Sequence, residues 1–298
     1  MESFSRGWSF LKQAWSMAFK DKDLLKPSVF ALVVGMIVSV IGIIPLVGGY
    51  MILGDQGVGG FIMFIMGGIL VFVQFVVSYV FSGMTVYLIY GYLSEGDGQM
   101  DKAWAIVRRD FFDILTLAAA STAVNMLRSA ANRNRKGGFV ASVARSATGL
   151  LEVLWTEAAL LILPAMVIDD LNLKDGIQRV FKITKENLLL VGISTVGVRW
   201  VTGLISFVFG VIGFVIAFAI GGGVAFISGG STAVSIAGIV VGALIFFTFV
   251  MVASIFSSYT NTAYHTCLYI WAREVETAKA HGSSAPVNAP APLAAALA

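Results

Sequence analysis

Long apolar runs alternate with short basic segments along this chain. Six runs approach or exceed the roughly 20 residues that cross a bilayer as a helix. They cover residues 27–53, 59–93, 111–127, 150–168, 188–220 and 233–272. The second and sixth are longer than a bilayer needs, so we expect them to tilt, kink at glycines or extend beyond it. The pattern predicts an all-α, polytopic integral membrane bundle of about six transmembrane helices.

Three amphipathic segments precede the first, third and fifth apolar runs. They read "GWSFLKQAWSMAFKDKDLL", "AWAIVRRDFFDIL" and "GIQRVFKITKENLLL". At helical spacing, each places aromatic and aliphatic residues on one stripe and basic residues opposite, which is typical of a helix lying among lipid headgroups. The alternative is that they are core helices outside the membrane or plain basic anchors. The residues expected at the lipid interface are Trp8, Trp15, Trp104, Arg108, Arg109, Arg179 and Lys182.

This order predicts a single transmembrane domain, residues 1–276, built of three repeats. Each repeat is an interfacial helix followed by a helical hairpin, over about 1–93, 94–168 and 169–276. The Ala/Pro-rich tail, residues 277–298, has the composition of a disordered segment.

The distribution of Lys and Arg predicts the orientation. With six spans, fourteen of these residues fall on the side of the N-terminus and C-terminus, and five fall in the opposite loop 128–148. The excess favours both termini in the cytoplasm. Because loop 128–148 is basic and run 111–127 is short, a second model keeps segments 111–127 and 149–168 as a cytoplasmic or re-entrant hairpin and leaves four spans.

Composition places the chain among membrane proteins. Of its 298 residues, 58% are hydrophobic and 12% charged, against about a quarter charged in soluble domains. The one cysteine, Cys267, excludes an internal disulfide, and the two histidines exclude a Cys/His metal cluster. No basic patch interleaved with aromatic residues favours nucleic acid.

Two ionisable residues fall deep inside predicted spans, where they are costly and point to function by default. Glu157 and Arg199 each lie eleven residues from the inner end of their run, about 17 Å from the same membrane face. Their equal depth predicts a buried Glu157–Arg199 pair. It could hold two helices in register, line a polar pathway, or leave Arg199 to reach a headgroup or a partner chain. Glu152, nearer the outer end, is expected among the headgroups.

Other polar residues within the runs are more typical of helix–helix hydrogen bonds than of ligand sites. They are Gln74, Asn125, Asn261 and His265. Tyr259, Tyr264 and Tyr269 are typical of an aromatic belt at the membrane surface. The glycine-rich "GGGVAFISGGS" lacks the GK[ST] ending of a phosphate loop, and no GxSxG, HExxH or CxxC occurs. The sequence therefore predicts no catalytic residue, no metal and no cofactor, and we expect the protein not to be an enzyme.

Two stretches, "SFSRGWSFLKQAWSMAFKDKDLLKPSVF" and "VLWTEAALLILPAMVIDDLNLKDGIQRVFKITKENLLLV", are similar to an uncharacterised family of bacterial polytopic inner-membrane proteins, a domain of unknown function. The resemblance covers roughly residues 1–200. The matching positions are Arg6, Gly7, Trp8, Trp15, Asp21, Lys22, Leu24, Leu25, Pro27, Trp155, Pro164 and Gly176. It implies a bacterial inner-membrane location and assigns no catalytic residue.

Two functions fit these features. The first is a small transport or channel-like protein that forms a homo-oligomer, with Glu157 and Arg199 lining or locking its interior. The second is a non-transporting scaffold or accessory subunit. Its basic, aromatic cytoplasmic helices would bind anionic lipid headgroups or a partner protein.

Overall fold

Every secondary-structure element of the described residues is a helix. The computed structural model describes residues 2–54, 57–133, 139–186, 188–227, 232–281 and 287–297. The helices are α1 (Glu2–Lys20), α2 (Lys26–Leu53), α3 (Gly57–Glu95), α4 (Met100–Arg109), α5 (Phe111–Arg133), α6 (Phe139–Asp169), α7 (Leu173–Glu186), α8 (Leu188–Ile227), α9 (Thr232–Ala280) and α10 (Ala291–Leu297). A single 3₁₀ turn, Lys22–Leu25, joins α1 to α2.

Six of these helices, α2, α3, α5, α6, α8 and α9, are long and apolar enough to cross a membrane. The predicted all-α helical bundle is confirmed, and the chain is a multi-pass membrane protein. The third apolar run, residues 111–127, is short because the helix that contains it ends in polar residues. Helix continues to Arg133 and gives α5 23 residues, about 34 Å at 1.5 Å per residue. Its length therefore favours six spans over four.

The amphipathic helices α1, α4 and α7 pack against one end of the bundle, which we call the capped end. This end comprises the starts of α2, α5 and α8 and the ends of α3, α6 and α9. The main contacts of α1 are with α8 and α10, those of α4 with α3, and those of α7 with α6. Each buries a narrow apolar stripe, such as Phe10 and Ala14 on α1 and Val107 on α4. The three predicted amphipathic segments are helical, and other helices of the protein cover part of their apolar surface.

The hydrophobic core also lies towards the capped end. It draws on the second half of α3, the first half of α5, the second half of α6 and the last third of α9. Tyr259, Tyr264 and Tyr269 are fully buried in it, so the interpretation of these tyrosines as a surface belt is wrong. Helix α9, with 49 residues, is longer than a bilayer needs, and its neighbours cover this aromatic part.

Glycines set the packing of the hairpin α8–α9. A methyl group on Gly221 would lie 2.7 Å from the carbonyl oxygen of Gly238, and one on Gly242 would lie 2.8 Å from the oxygen of Ala217. The two backbones approach as closely as these residues allow, which is the geometry that small residues permit between membrane helices.

The C-terminal tail differs from the disorder predicted for residues 277–298. Helix α9 continues to Ala280, and α10 packs on α1 with Leu293 fully buried. Trp271 Nε1 donates to the carbonyl oxygen of Val287 at 3.3 Å. The alanines that read as low complexity supply the small surface that lets this helix lie against α1; residues 282–286 lie outside the described part.

Candidate functional site

A charged cluster lies at the capped end, where α6, α7 and α9 meet. Tyr269 donates its hydroxyl proton to Asp169 Oδ2. Arg273 Nη1 lies 3.1 Å from Asp169 Oδ1, and Arg179 Nε lies 4.0 Å from Asp169 Oδ2. The last residue of α6 thus bonds to two other helices. Its carboxylate is one-fifth exposed, so these contacts are partly shielded from solvent.

Glu276, two turns further along α9, extends this cluster to the outer side of α7. It pairs with Arg179 Nη1 and, at 2.5 Å, with Lys182 Nζ. Burial opposes the charged form of Arg179, but the Tyr269 hydroxyl and the two carboxylates outweigh it and raise the pKa of Arg179. Arg179 therefore stays cationic, and α7 is tied to α9 by charge as well as by its apolar stripe.

A second ion cluster joins α4, α5 and α6. Arg109 Nε donates to Asp110 Oδ1 at 2.6 Å, and Arg109 Nη2 lies 3.1 Å from Asp170 Oδ1. Asp110 is buried between α4 and α5, and this burial raises its pKa although the bond to Arg109 opposes the change. The same bond raises the pKa of Arg109. Asp170 has a left-handed backbone (φ 55°), a conformation that Asp tolerates better than most residues.

Asp21 connects the turn after α1 to the loop after α3. Its Oδ1 accepts from the backbone N–H of Asp23 at 3.0 Å and its Oδ2 accepts from the N–H of Gly98 at 2.8 Å. A side chain at position 98 would collide with the same carboxylate. All three amphipathic helices are therefore fastened to the capped end through polar contacts at their junctions.

The outward surface of these helices carries exposed tryptophans and cations. Trp8 is 52% and Trp104 40% exposed, and the Arg108 guanidinium stacks 5.0 Å from the Trp104 ring centre. Lys12 and Lys20 are also exposed. Tryptophan with basic residues is the composition that binds headgroups at a membrane surface.

The other predicted interface residues contact the protein itself. Trp15 is half-buried; its Nε1 donates to Thr260 Oγ1 at 3.1 Å, and its ring stacks on Phe256. Arg109, Arg179 and Lys182 pair with the carboxylates described above. Four of the seven residues predicted to contact headgroups therefore serve to dock their helices. Three are cations within reach of protein carboxylates, and Trp15 packs on α9.

Deeper in the bundle, Glu157 contacts a residue that the sequence did not assign to it. Its Oε2 lies 3.5 Å from His265 Nε2, between α6 and α9. The other ring nitrogen of His265 bonds the carbonyl oxygen of Asn261 at 2.7 Å. The predicted partner Arg199 lies on α8, and its side chain is outside the described part of the structure. Among described residues the main neighbours of α6 are α3, α5, α7 and α9, and the predicted Glu157–Arg199 pair stays a prediction.

The remaining polar residues of the spans vary in role. Gln74 Nε2 donates to the carbonyl oxygen of Gly35 at 2.9 Å and to Ser39 Oγ at 2.7 Å, linking α3 to α2. Asn261 Nδ2 donates within its own helix to Ser257 Oγ at 3.4 Å. Asn125 is half-buried on α5. Glu152 pairs with Arg128 across the hairpin α5–α6, at the end opposite the capped end.

Sequence reasoning missed the acidic members of the capped-end clusters. Asp110, Asp169 and Glu276 lie outside the apolar runs, so depth in the membrane could not single them out. One signal was available: each lies within a few residues of one end of an apolar run and of a basic residue. Among described residues no group of three His, Cys, Asp or Glu side chains could hold a metal ion.

No known family model matches the chain, and no curated protein matches it.

Proposed function

We propose that this protein is a non-transporting membrane scaffold or accessory subunit that binds anionic lipid at its capped end. The observation that supports this function is the docking of α1, α4 and α7. Ion pairs and apolar contacts hold these helices on the bundle, while their outer surface presents Trp8, Trp104, Lys12, Lys20 and Arg108. A fixed basic and aromatic surface at headgroup level attracts anionic lipid at roughly 1 kcal/mol per cation.

The same proposal places the protein in a bacterial inner membrane with the capped end and both termini in the cytoplasm. The excess of Lys and Arg at this end favours that orientation, and the resemblance to an uncharacterised bacterial membrane family favours the location. A partner protein or a second copy of the chain could use the same surface.

Two measurements on one preparation test the function. The full chain is reconstituted into vesicles of phosphatidylethanolamine and phosphatidylglycerol, and ion and proton flux are recorded against protein-free vesicles. The lipids that remain bound after detergent extraction are then analysed by class. We expect no flux above the control and enrichment of phosphatidylglycerol. Specific flux, or retained lipid with the bulk composition, would contradict the proposal.

Transport is the second candidate, and the Glu157–His265 contact favours it. A carboxylate 3.5 Å from an imidazole between two spans is the kind of pair that carries protons in transporters. If this function holds, reconstituted protein conducts protons and Glu157→Gln reduces the flux. Glu152→Gln is the matched control because Glu152 lies on the same helix and pairs with Arg128 near its outer end.

A further inference from the structure

An apolar groove opens on the side of the bundle between α1, the start of α2, α8 and α9. It encloses about 660 Å³, within the range of about 300–1,000 Å³ typical of ligand sites. One wall is the stripe of α1 that includes Trp8, Trp15 and Phe19, and the opposite wall includes Ile205 and Phe256. The α1 wall is held in place, since Trp15 is fixed by its hydrogen bond to Thr260 and by stacking on Phe256 at a ring-centre distance of 4.6 Å.

The groove lies at the headgroup end of one leaflet. Val29, on its rim, is in the first turn of α2, and Ile205 is close to the start of the span Val201–Gly221. The surrounding surface is apolar and lipid-facing, as the exposed side chains of Val252 and Phe207 indicate. A lipid tail can therefore enter sideways from the bilayer without crossing water.

The charges around the groove select an anionic amphiphile. Lys12, between Trp8 and Trp15 on the α1 stripe, is the one charged residue among the described residues that line it. No carboxylate of the described residues lies within ion-pair distance of Lys12. The next acidic residues after Lys12 in the sequence are already occupied: Asp21 accepts from Gly98 and Asp23 pairs with Lys26 at 2.5 Å. A phosphate at Lys12 would meet no competing carboxylate from the described residues.

A second groove in the same molecule provides a contrast. It lies between α2 and α3, encloses about 380 Å³ and is lined by residues such as Val38 and Met66, with no charged residue among its described lining. Bulk lipid can fill such a groove without regard to the headgroup. Of these two grooves, the α1 groove is the one whose described lining combines an apolar surface with a cation.

We propose that the α1 groove binds one acyl chain of an anionic glycerophospholipid from the bilayer, with the lipid phosphate held at Lys12. This inference rests on the proposed function, to which it adds a defined site with one lipid per chain. The aromatic stripe of α1 would then face a bound lipid, with α10 packed on another part of the same helix.

The test is a titration of the full chain in detergent with phosphatidylglycerol whose acyl chains carry bromine, which quenches tryptophan fluorescence on contact. We expect quenching that saturates at one lipid per chain and is smaller in Trp15→Phe. Lys12→Gln should weaken binding about 5-fold, the factor for one lysine at an anionic surface, and Ile205→Phe should abolish it by filling the groove. The matched controls are Lys102→Gln on α4, where the lysine pairs with Glu95, and Val38→Phe in the α2–α3 groove, which should bind as wild type.

Unchanged binding by both Lys12→Gln and Ile205→Phe, with both variants folded, would overturn the groove site. Quenching that rises without saturation, or a dimer that occupies the groove and is lost in Ile205→Phe, would also overturn it. These failures differ from failure of the proposed function, which is read from the phosphatidylglycerol enrichment in vesicles. If wild type and both variants keep that enrichment, the function stands without the groove; if wild type lacks it, the function fails.

Discussion

The spans of α2 and α6 differ in hydropathy and in burial, and the more apolar of the two is the less buried, which is the reverse of what helices in soluble proteins show. The most apolar stretch of the span Lys22–Ile52 has a mean hydropathy of 2.8, and none of its residues is buried. The corresponding stretch of the span Arg145–Asp169 has a mean hydropathy of 1.9, and 44% of its residues are buried. Lipid tails solvate apolar side chains as well as protein does, but they offer polar groups no hydrogen bond. The more polar helix therefore lies inside the bundle and the more apolar helix outside.

Individual contacts show the same division. On α6, Trp155 Nε1 donates to Ser121 Oγ at 2.8 Å, and Ser121 also shares a hydrogen bond with Tyr79. On α2, Ile41 and Ile44 are about two-thirds exposed to the surroundings. Hydropathy thus finds the spans, but the polar residues decide which spans are central.

The largest effect is expected from a substitution that disrupts the packing of the buried helix α6. Leu163 on α6 is 2% exposed and Ile44 on α2 68% exposed. We expect Leu163→Ala to lower the free energy of unfolding by about 2–5 kcal/mol through lost contacts and a cavity. Ile44→Ala should change it by less than about 0.5 kcal/mol, as for other surface positions. Unfolding in bicelles measures both, and equal losses would contradict the comparison.

Next in size is the loss expected from removing the polar contacts at the capped end of α6. Asp169→Asn removes the charge that Arg273 and Arg179 contact and should cost about 1.5–3 kcal/mol, the range for bonds to charged groups. Glu274→Gln, on an exposed face of α9, is the control and should be close to neutral. If the two variants unfold alike, the cluster does not fasten α6 to α7 and α9.

The hairpin α8–α9 should lose stability on substitution only where its two helices touch. Gly221→Ala would place a methyl group 2.7 Å from a backbone oxygen of α9, and such overpacking costs about 1–3 kcal/mol. Gly210 on the same helix faces open space, so Gly210→Ala should stabilise α8 by about 0.5–1 kcal/mol. A lower unfolding temperature for Gly221→Ala and a higher one for Gly210→Ala would support close packing of α8 on α9 at Gly221. Equal losses of stability in both variants would contradict it.

The smallest effect concerns pH. Burial raises the pKa of Asp110, so the folded protein holds this proton more tightly than the unfolded chain. Its contribution to stability is present below the ordinary pKa of about 3.9 and is lost as pH rises through the folded value. The stability of wild type relative to Asp110→Asn should therefore fall as pH rises above about 4. A difference that grows with pH would show that the bond to Arg109 outweighs burial.

The features that could be predicted from the sequence are those that depend on residues close together in the chain. Six spans and three amphipathic helices follow from periodicity within each segment, because helix and apolar face are properties of neighbouring residues. Contacts between distant segments could not be read this way: Tyr269 meets Asp169, and His265 meets Glu157, across helices that are not consecutive. The tail was misread for a related reason, since composition indicates solvent exposure unless a docking surface such as α1 is known.

Lipid enrichment in a charge-neutralised variant tests the central claim most directly. Lys12, Lys20 and Arg108 are exposed cations of the capped end, and changing all three to Gln leaves the ion clusters beneath intact. We predict that this variant unfolds like wild type in bicelles but retains phosphatidylglycerol and phosphatidylethanolamine in the bulk proportion. If it still enriches phosphatidylglycerol as strongly as wild type, the outer surface of the docked helices is not the lipid-binding surface.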